Sequence, residues 1–162
     1  MRRFVNISLF MVLIVALVGC QSGTETTMPE AKMFSVHIDA PEGIQADKPF
    51  IVKGNLVNNS DTSWNVEHGA DMFTYEVTDG NGEPVLQPVK HRVVNGIGIG
   101  TALKPDMSYS YNGEGHVQPR MDELIVQAGS YSIVSKAKFT INYEDKRYEF
   151  EVESAPLKFK VT

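Results

Sequence analysis

Cysteine is nearly absent from this chain: one residue in 162, Cys20. A single thiol forms no intramolecular disulfide, so the folded part must be held by its core alone. Tryptophan is equally scarce, with Trp64 the only one. Positive charge is also short. Fifteen Lys and Arg stand against twenty Asp and Glu, a net charge of −5. That balance opposes nucleic-acid binding, which relies on a positive field. No stretch carries a convincing 3.6-residue apolar period, which removes amphipathic helices from the expected framework. Catalytic signatures are missing too. No Gly-x-Ser-x-Gly is present, and no carboxylate pair sits in a recognisable glycosidase setting. The glycine-rich "NGIGIGTALKP" (95–105) is followed by neither Gly-Lys-Ser/Thr nor room for a helix before Pro105, so it is not a phosphate loop. The four histidines, His37, His68, His91 and His116, show no ligand spacing. His68 and Asp71 fall on an expected loop, where separation fixes no geometry, and the expectation is solvated loop residues with no metal site. No catalytic residue, cofactor-binding residue or metal ligand is nominated.

What is present begins at the N-terminus. Arg2 and Arg3 precede a mostly apolar run, Phe4 to Val18, which is too short for a spanning helix and reads as a secretory signal. Leu17-Val18-Gly19 then leads directly into Cys20. This resembles a bacterial lipobox. The resemblance implies cleavage between Gly19 and Cys20, diacylglycerol on the thiol as a thioether, and a new amino group open to acylation. Acyl chains bury about 0.8 kcal/mol per CH₂, so two or more anchor a protein without a transmembrane helix. The next residues, "QSGTETTMPEAK" (21–32), are polar and suit a flexible tether. The expected organisation is a signal peptide over 1–19, a lipidated N-terminus and tether over 20–32, and one domain over 33–162. Removing 1–19 takes away only Arg2 and Arg3, leaving 13 Lys and Arg against 20 Asp and Glu, a net of −7. An acidic body gains nothing from anionic lipid, so the lipid would hold the protein at the membrane unaided.

The body reads as all-β. In "SYSIVSKAKFTI", Tyr131, Ile133, Ala137, Phe139 and Ile141 share one parity; in "RYEFEVE", Tyr148, Phe150 and Val152 alternate with glutamates. Period two with aromatic and β-branched residues marks half-buried strands. Taking "NYED" (142–145) as a four-residue loop sets Phe139 against Tyr148 and Ala137 against Phe150, with Lys138 facing Glu149 and Lys136 facing Glu151. The closing strand, Leu157, Phe159 and Val161, is out of phase, so Ser154 to Pro156 must hold a bulge or a switch between sheets. Strands are also expected over 33–39, 49–58 and 72–79, and more weakly over 107–111 and 122–126. Seven to nine short strands with turns between them argue for an immunoglobulin-like antiparallel β-sandwich. Gly129-Ser130-Tyr131 has the form of a tyrosine corner.

Three stretches resemble the intracellular-proteinase-inhibitor-like domain of Bacillus-type bacteria: "LVNNSD" (56–61), the hairpin "FTYEVTDGNGEPV" (73–85), and "LKPDMSYSY" with "QAGSYSIVSKAKF". The resemblance implies a β-sandwich and, from the family's name, inhibition of a serine protease. The tryptophans that usually follow the first hairpin are replaced here by "LQPVKHR", so no inhibitory residue carries over.

Two features remain as candidate partner contacts. Trp64 either caps the open end of the sandwich or anchors a partner, a role in which tryptophan is enriched. Ile97 and Ile99, with Val93 and Val94, form either a glycine-weakened edge strand or an apolar loop that inserts into a partner. The expected function is a lipid-anchored, non-catalytic binding module at the extracytoplasmic face of the cell membrane, contacting another envelope protein. The alternatives are a protease inhibitor, and an envelope hydrolase or metal-handling lipoprotein.

Overall fold

The alternating stretch near the C-terminus forms a long hairpin, and the rest of the chain is arranged around it. The structure is a computed structural model that describes residues 28–89 and 91–162. The expected signal peptide, Cys20 and the tether as far as residue 27 lie outside the described residues. Thirteen strands are present among the described residues: β1 (Phe34–Asp39), β2 (Phe50–Ile51), β3 (Lys53–Asn58), β4 (Trp64–His68), β5 (Phe73–Asp79), β6 (Val93–Val94), β7 (Ile99–Leu103), β8 (Ser108–Tyr109), β9 (Val117–Gln118), β10 (Glu123–Leu124), β11 (Gly129–Tyr143), β12 (Lys146–Glu153) and β13 (Leu157–Val161). Five of these span two residues, and the eight longer ones match the expected seven to nine. The fold is an all-β antiparallel sandwich.

The hairpin register differs from the sequence expectation by two residues. Glu144 and Asp145 adopt φ of 47° and 60°, so the chain reverses in a two-residue turn with both central residues left-handed. Asn142 and Tyr143 therefore continue the strand. Phe139 faces Phe150, Ala137 faces Val152, Lys138 faces Glu151 and Lys136 faces Glu153. A shift of two preserves the inward and outward faces, which is why the alternation survives the error. Outside, Lys136 Nζ lies 2.9 Å from Glu76 and 3.1 Å from Glu153, and Lys138 Nζ lies 3.2 Å from Glu151.

The phase change at the last strand is a bulge. β12 pairs the C-terminal half of β11 and β13 the N-terminal half, along the same edge. Between the Lys136–Glu153 and Ile133–Leu157 pairs, Val134 and Ser135 face three residues, Ser154 to Pro156. The extra residue reverses the parity of β13 relative to β12. Ser154 mends the ladder twice: its N–H donates to Ser135 O at 2.8 Å, and its Oγ accepts from Ser135 N–H at 3.0 Å.

On the other edge of β11 lie β5, against Tyr131 to Ala137, and β4, against Thr140 and Ile141; β7 extends the sheet beyond β4. The facing layer consists of β1, β3 and β8, with β2 and β10 beside it. β2 and β3 are one run interrupted at Val52, whose N–H donates to Asp122 O at 2.9 Å. Two apolar clusters fill the interior. One gathers Phe34, Leu56, Trp64, Met72 and Phe73 against Ala137, Phe139 and Ile141. The other gathers Phe50, Val52, Val77 and Leu124 against Ile133 and Val161. Each fully buried aliphatic side chain contributes roughly 1.5–3 kcal/mol relative to exposure. The tyrosine corner is present: Tyr131 OH donates to Gln127 O at 3.1 Å. Residues 28–32, at the end of the expected tether, are described; Pro29 is buried, and Tyr148 OH reaches Met28 Sδ at 3.7 Å.

The layers approach most closely at Gly54 in β3. A Cβ built there would stand 2.5 Å from the ring of Phe73, itself 4% exposed and unable to swing aside. Gly54→Ala is expected to destabilise the fold by about 1–3 kcal/mol through overpacking. Urea unfolding checks this; an unchanged midpoint would mean the Phe73 ring has free space to move.

Candidate functional site

Trp64 is a core residue. It opens β4 and is 3% exposed. Its indole N–H donates to Ser60 Oγ at 3.0 Å, and its ring meets Tyr143 edge-on at 5.8 Å. The preceding loop is built to turn the indole inward. Asn58, fully buried, donates through Nδ2 to Thr62 O at 2.7 Å and Leu103 O at 3.0 Å, while its Oδ1 accepts from Ser60 N–H and Ser60 Oγ–H. Of the two roles the sequence offered for Trp64, the partner anchor is corrected, because the indole is buried and its N–H is satisfied within the chain.

Ile97 precedes β7, the neighbour of β4, and Ile99 opens it. Both are half-buried, and β7 pairs with β4 from Trp64↔Leu103 to His68↔Ile99. The segment leading into β7 exposes Val93 and Val94, 65% and 39% accessible. Its glycines are open: a Cβ at Gly96, Gly98 or Gly100 would meet nothing within 4 Å. Asn95 N–H donates to His116 O at 2.8 Å and fixes the start of the segment. Of the two readings from the sequence, the edge strand is present at Ile99–Leu103, while Val93 and Val94 form the short strand β6, paired with β9 and exposed.

Beneath the Ile99 end sits His68, which the sequence assigned to a solvated loop. It instead ends β4 and is 6% exposed. Its Nδ1 lies 2.7 Å from Gly69 O and its Nε2 2.9 Å from Tyr109 OH. A carbonyl only accepts, so Nδ1 carries the proton and Nε2 accepts from the Tyr109 hydroxyl. The rings of Tyr109 and Tyr111 pack at 5.4 and 5.1 Å from the imidazole. Burial pulls the His68 pKa below its ordinary value, against a smaller opposing effect of the Gly69 carbonyl. Burial likewise raises that of Tyr109, with a lesser effect from Tyr111. The signal for this residue was in the sequence: Trp64, Val66 and His68 alternate with Asn65 and Glu67.

His68 also lines a cleft of about 380 Å³ with Thr140, Arg147, Glu149 and Glu151. Arg147 is already engaged by Glu149 at 3.1 Å, and the cleft holds both charge signs. His37 and His91 are exposed, and Asp71 is exposed beside the β4–β5 turn. Among the described residues, no three His, Cys, Asp or Glu side chains are placed to hold a metal ion. No described helix is long and apolar enough to cross a membrane.

No family model and no curated protein sequence matches this chain. A solved structure similar in shape is the X-ray structure of Northeast Structural Genomics Consortium target SoR45, with a TM-score of 0.41 and 10% identity over 80% of this chain and 88% of that one.

The buried neutral imidazole has a pH signature. Its folded pKa lies below the unfolded value of about 6.5, so between the two the unfolded state binds more protons. Its contribution to stability is complete above about pH 6.5 and is lost as pH falls through the folded pKa. Urea unfolding at pH 7.5 and pH 5 is expected to show lower stability at the acid end. His68→Gln, which does not titrate, is expected to flatten this slope. An equal slope in both proteins would place the titration elsewhere.

Proposed function

We propose that this protein is a lipid-anchored, non-catalytic binding module of the bacterial cell envelope, facing outward from the cell membrane. The observation that carries the reading is "ALVGCQSG" (16–23): the sole cysteine follows a short apolar run and Leu-Val-Gly. Residues 1–19 are removed, Cys20 becomes the lipidated N-terminus, and 21–27 lead to the sandwich. The contact surface is Val93 to Ile99, where Val93 and Val94 are exposed side by side and Ile97 and Ile99 are half-buried. Such a patch suits partner recognition. The resemblance to the proteinase-inhibitor-like family fits a module that binds and does not turn over substrate.

Mass spectrometry of the protein from a membrane fraction tests the anchor. The expected N-terminal peptide begins at Cys20 and carries diacylglycerol. Cys20→Ala is expected to leave the membrane fraction or to retain residues 1–19. An intact Met1 terminus with an unmodified Cys20 thiol would overturn the reading.

A further inference from the structure

The six-stranded sheet runs β12-β11-β4-β7, with β13 and β5 also on β11. Its two edges are unlike. At the β12 edge, Tyr148 OH reaches Met28, Val36 forms a bridge with Ser154, and Lys, Arg and Glu alternate along the strand. At the β7 edge no further strand is present among the described residues. Natural sheets protect such an edge with charge, proline or a bulge. β7, Ile-Gly-Thr-Ala-Leu, has none of these, and it alone among the strands of five or more residues lacks an ionisable side chain. The uncharged stretch extends from Val93 to Leu103, between Arg92 and Lys104.

We infer that the β7 edge pairs with β7 of a second copy of this chain, antiparallel, about a two-fold axis at Thr101. The sequence of the strand selects this occupant. Ile-Gly-Thr-Ala-Leu has nearly the same pattern in both directions: branched, small, Thr, small, branched. Antiparallel self-pairing centred on Thr101 sets Ile99 against Leu103 of the second copy and Gly100 against Ala102 of the second copy. Thr101 meets its own equivalent, and threonine pairs are favourable across antiparallel strands. The interface is isologous, as a two-fold axis requires. Charge points the same way. Each copy is acidic, net −5 over the full sequence and −7 without residues 1–19, and the uncharged edge is where two such copies can approach without opposing like charges. Pairing along five residues buries less than a standard interface, so the dimer is weak and reversible. The inference rests on the proposed contact surface, Val93 to Ile99, extends it along β7 to Leu103, and is independent of the lipid on Cys20.

Cysteine cross-linking of the full-length chain in intact cells tests it. With Thr101→Cys, mild oxidation is expected to yield about tenfold more disulfide-linked dimer than the parent chain or Arg147→Cys on the β12 edge, and adding Ala102→Lys to reverse that gain. Ala102 is exposed, so the lysine adds charge at the edge without entering the core. A second readout needs no new cysteine: sedimentation of the detergent-solubilised full chain is expected to show a concentration-dependent dimer that Ala102→Lys returns to monomer. A disulfide adduct with a different protein would overturn self-pairing and keep the surface. No adduct, with monomer at every concentration, would overturn both.

Discussion

β11 is the strand on which the other elements depend. It is fifteen residues long and is paired along both edges. Its inward side chains supply both apolar clusters, Ile133 on one side and Ala137, Phe139 and Ile141 on the other. The division falls at Ser135, which is fully buried and polar. There the bulge interrupts the β11 ladder, and Ser154 restores it with its own N–H and Oγ. Opposite Ser135 on the other edge stands Tyr75, whose hydroxyl crosses the interior to accept Gly54 N–H at 2.8 Å. Burial pushes the Tyr75 pKa up to about 12, so the phenol stays protonated. These bonds form a polar waist between two apolar halves; the backbone N–H and C=O of Ser135 are both satisfied, while its buried hydroxyl has no hydrogen-bond partner. Gly54 is tied to this waist, because a side chain there would collide with Phe73 as the layers close on Tyr75.

The same strand order separates a protected edge from an open one. Charge is concentrated around β11 and β12, where Lys136 and Lys138 meet glutamates across the strands and discourage strand addition. Among the described strands β7 pairs only with β4, and its Leu103 end is also tied by Asn58 Nδ2, which donates to Leu103 O at 3.0 Å. β4 in turn is anchored at one end by Trp64 on Ser60 and at the other by His68 on Tyr109. Trp64 and His68, the residues whose chemistry stands out in the sequence, are thus structural supports for the uncharged edge.

Legibility followed the strength of alternation. β11 and β12 were readable because aromatic and charged residues alternate over many positions, and the error of two in register came from the turn. Glu144 and Asp145 lack the Asn-Gly signature of a two-residue hairpin, yet both take left-handed φ. The bulge was legible as a phase change, though only the structure separates it from a sheet switch. β4 was missed because Trp-Asn-Val-Glu-His follows a turn cluster and includes a histidine at an inward position. His68 becomes a core residue through partners more than forty residues away, at Tyr109, which local pattern does not encode. Ile97 and Ile99 were legible as apolar residues in a glycine frame, while the openness of the β7 edge depends on tertiary placement.

Native-state hydrogen exchange measures the central claim most directly. If β11 organises both halves, its amides from Ile133 to Ile141 exchange slowest, with an opening free energy equal to that of global unfolding. Amides of β7 exchange first among the longer strands. Faster exchange in β11 than in β1 and β3 would contradict the account, because the facing layer would then persist without the strand said to hold it.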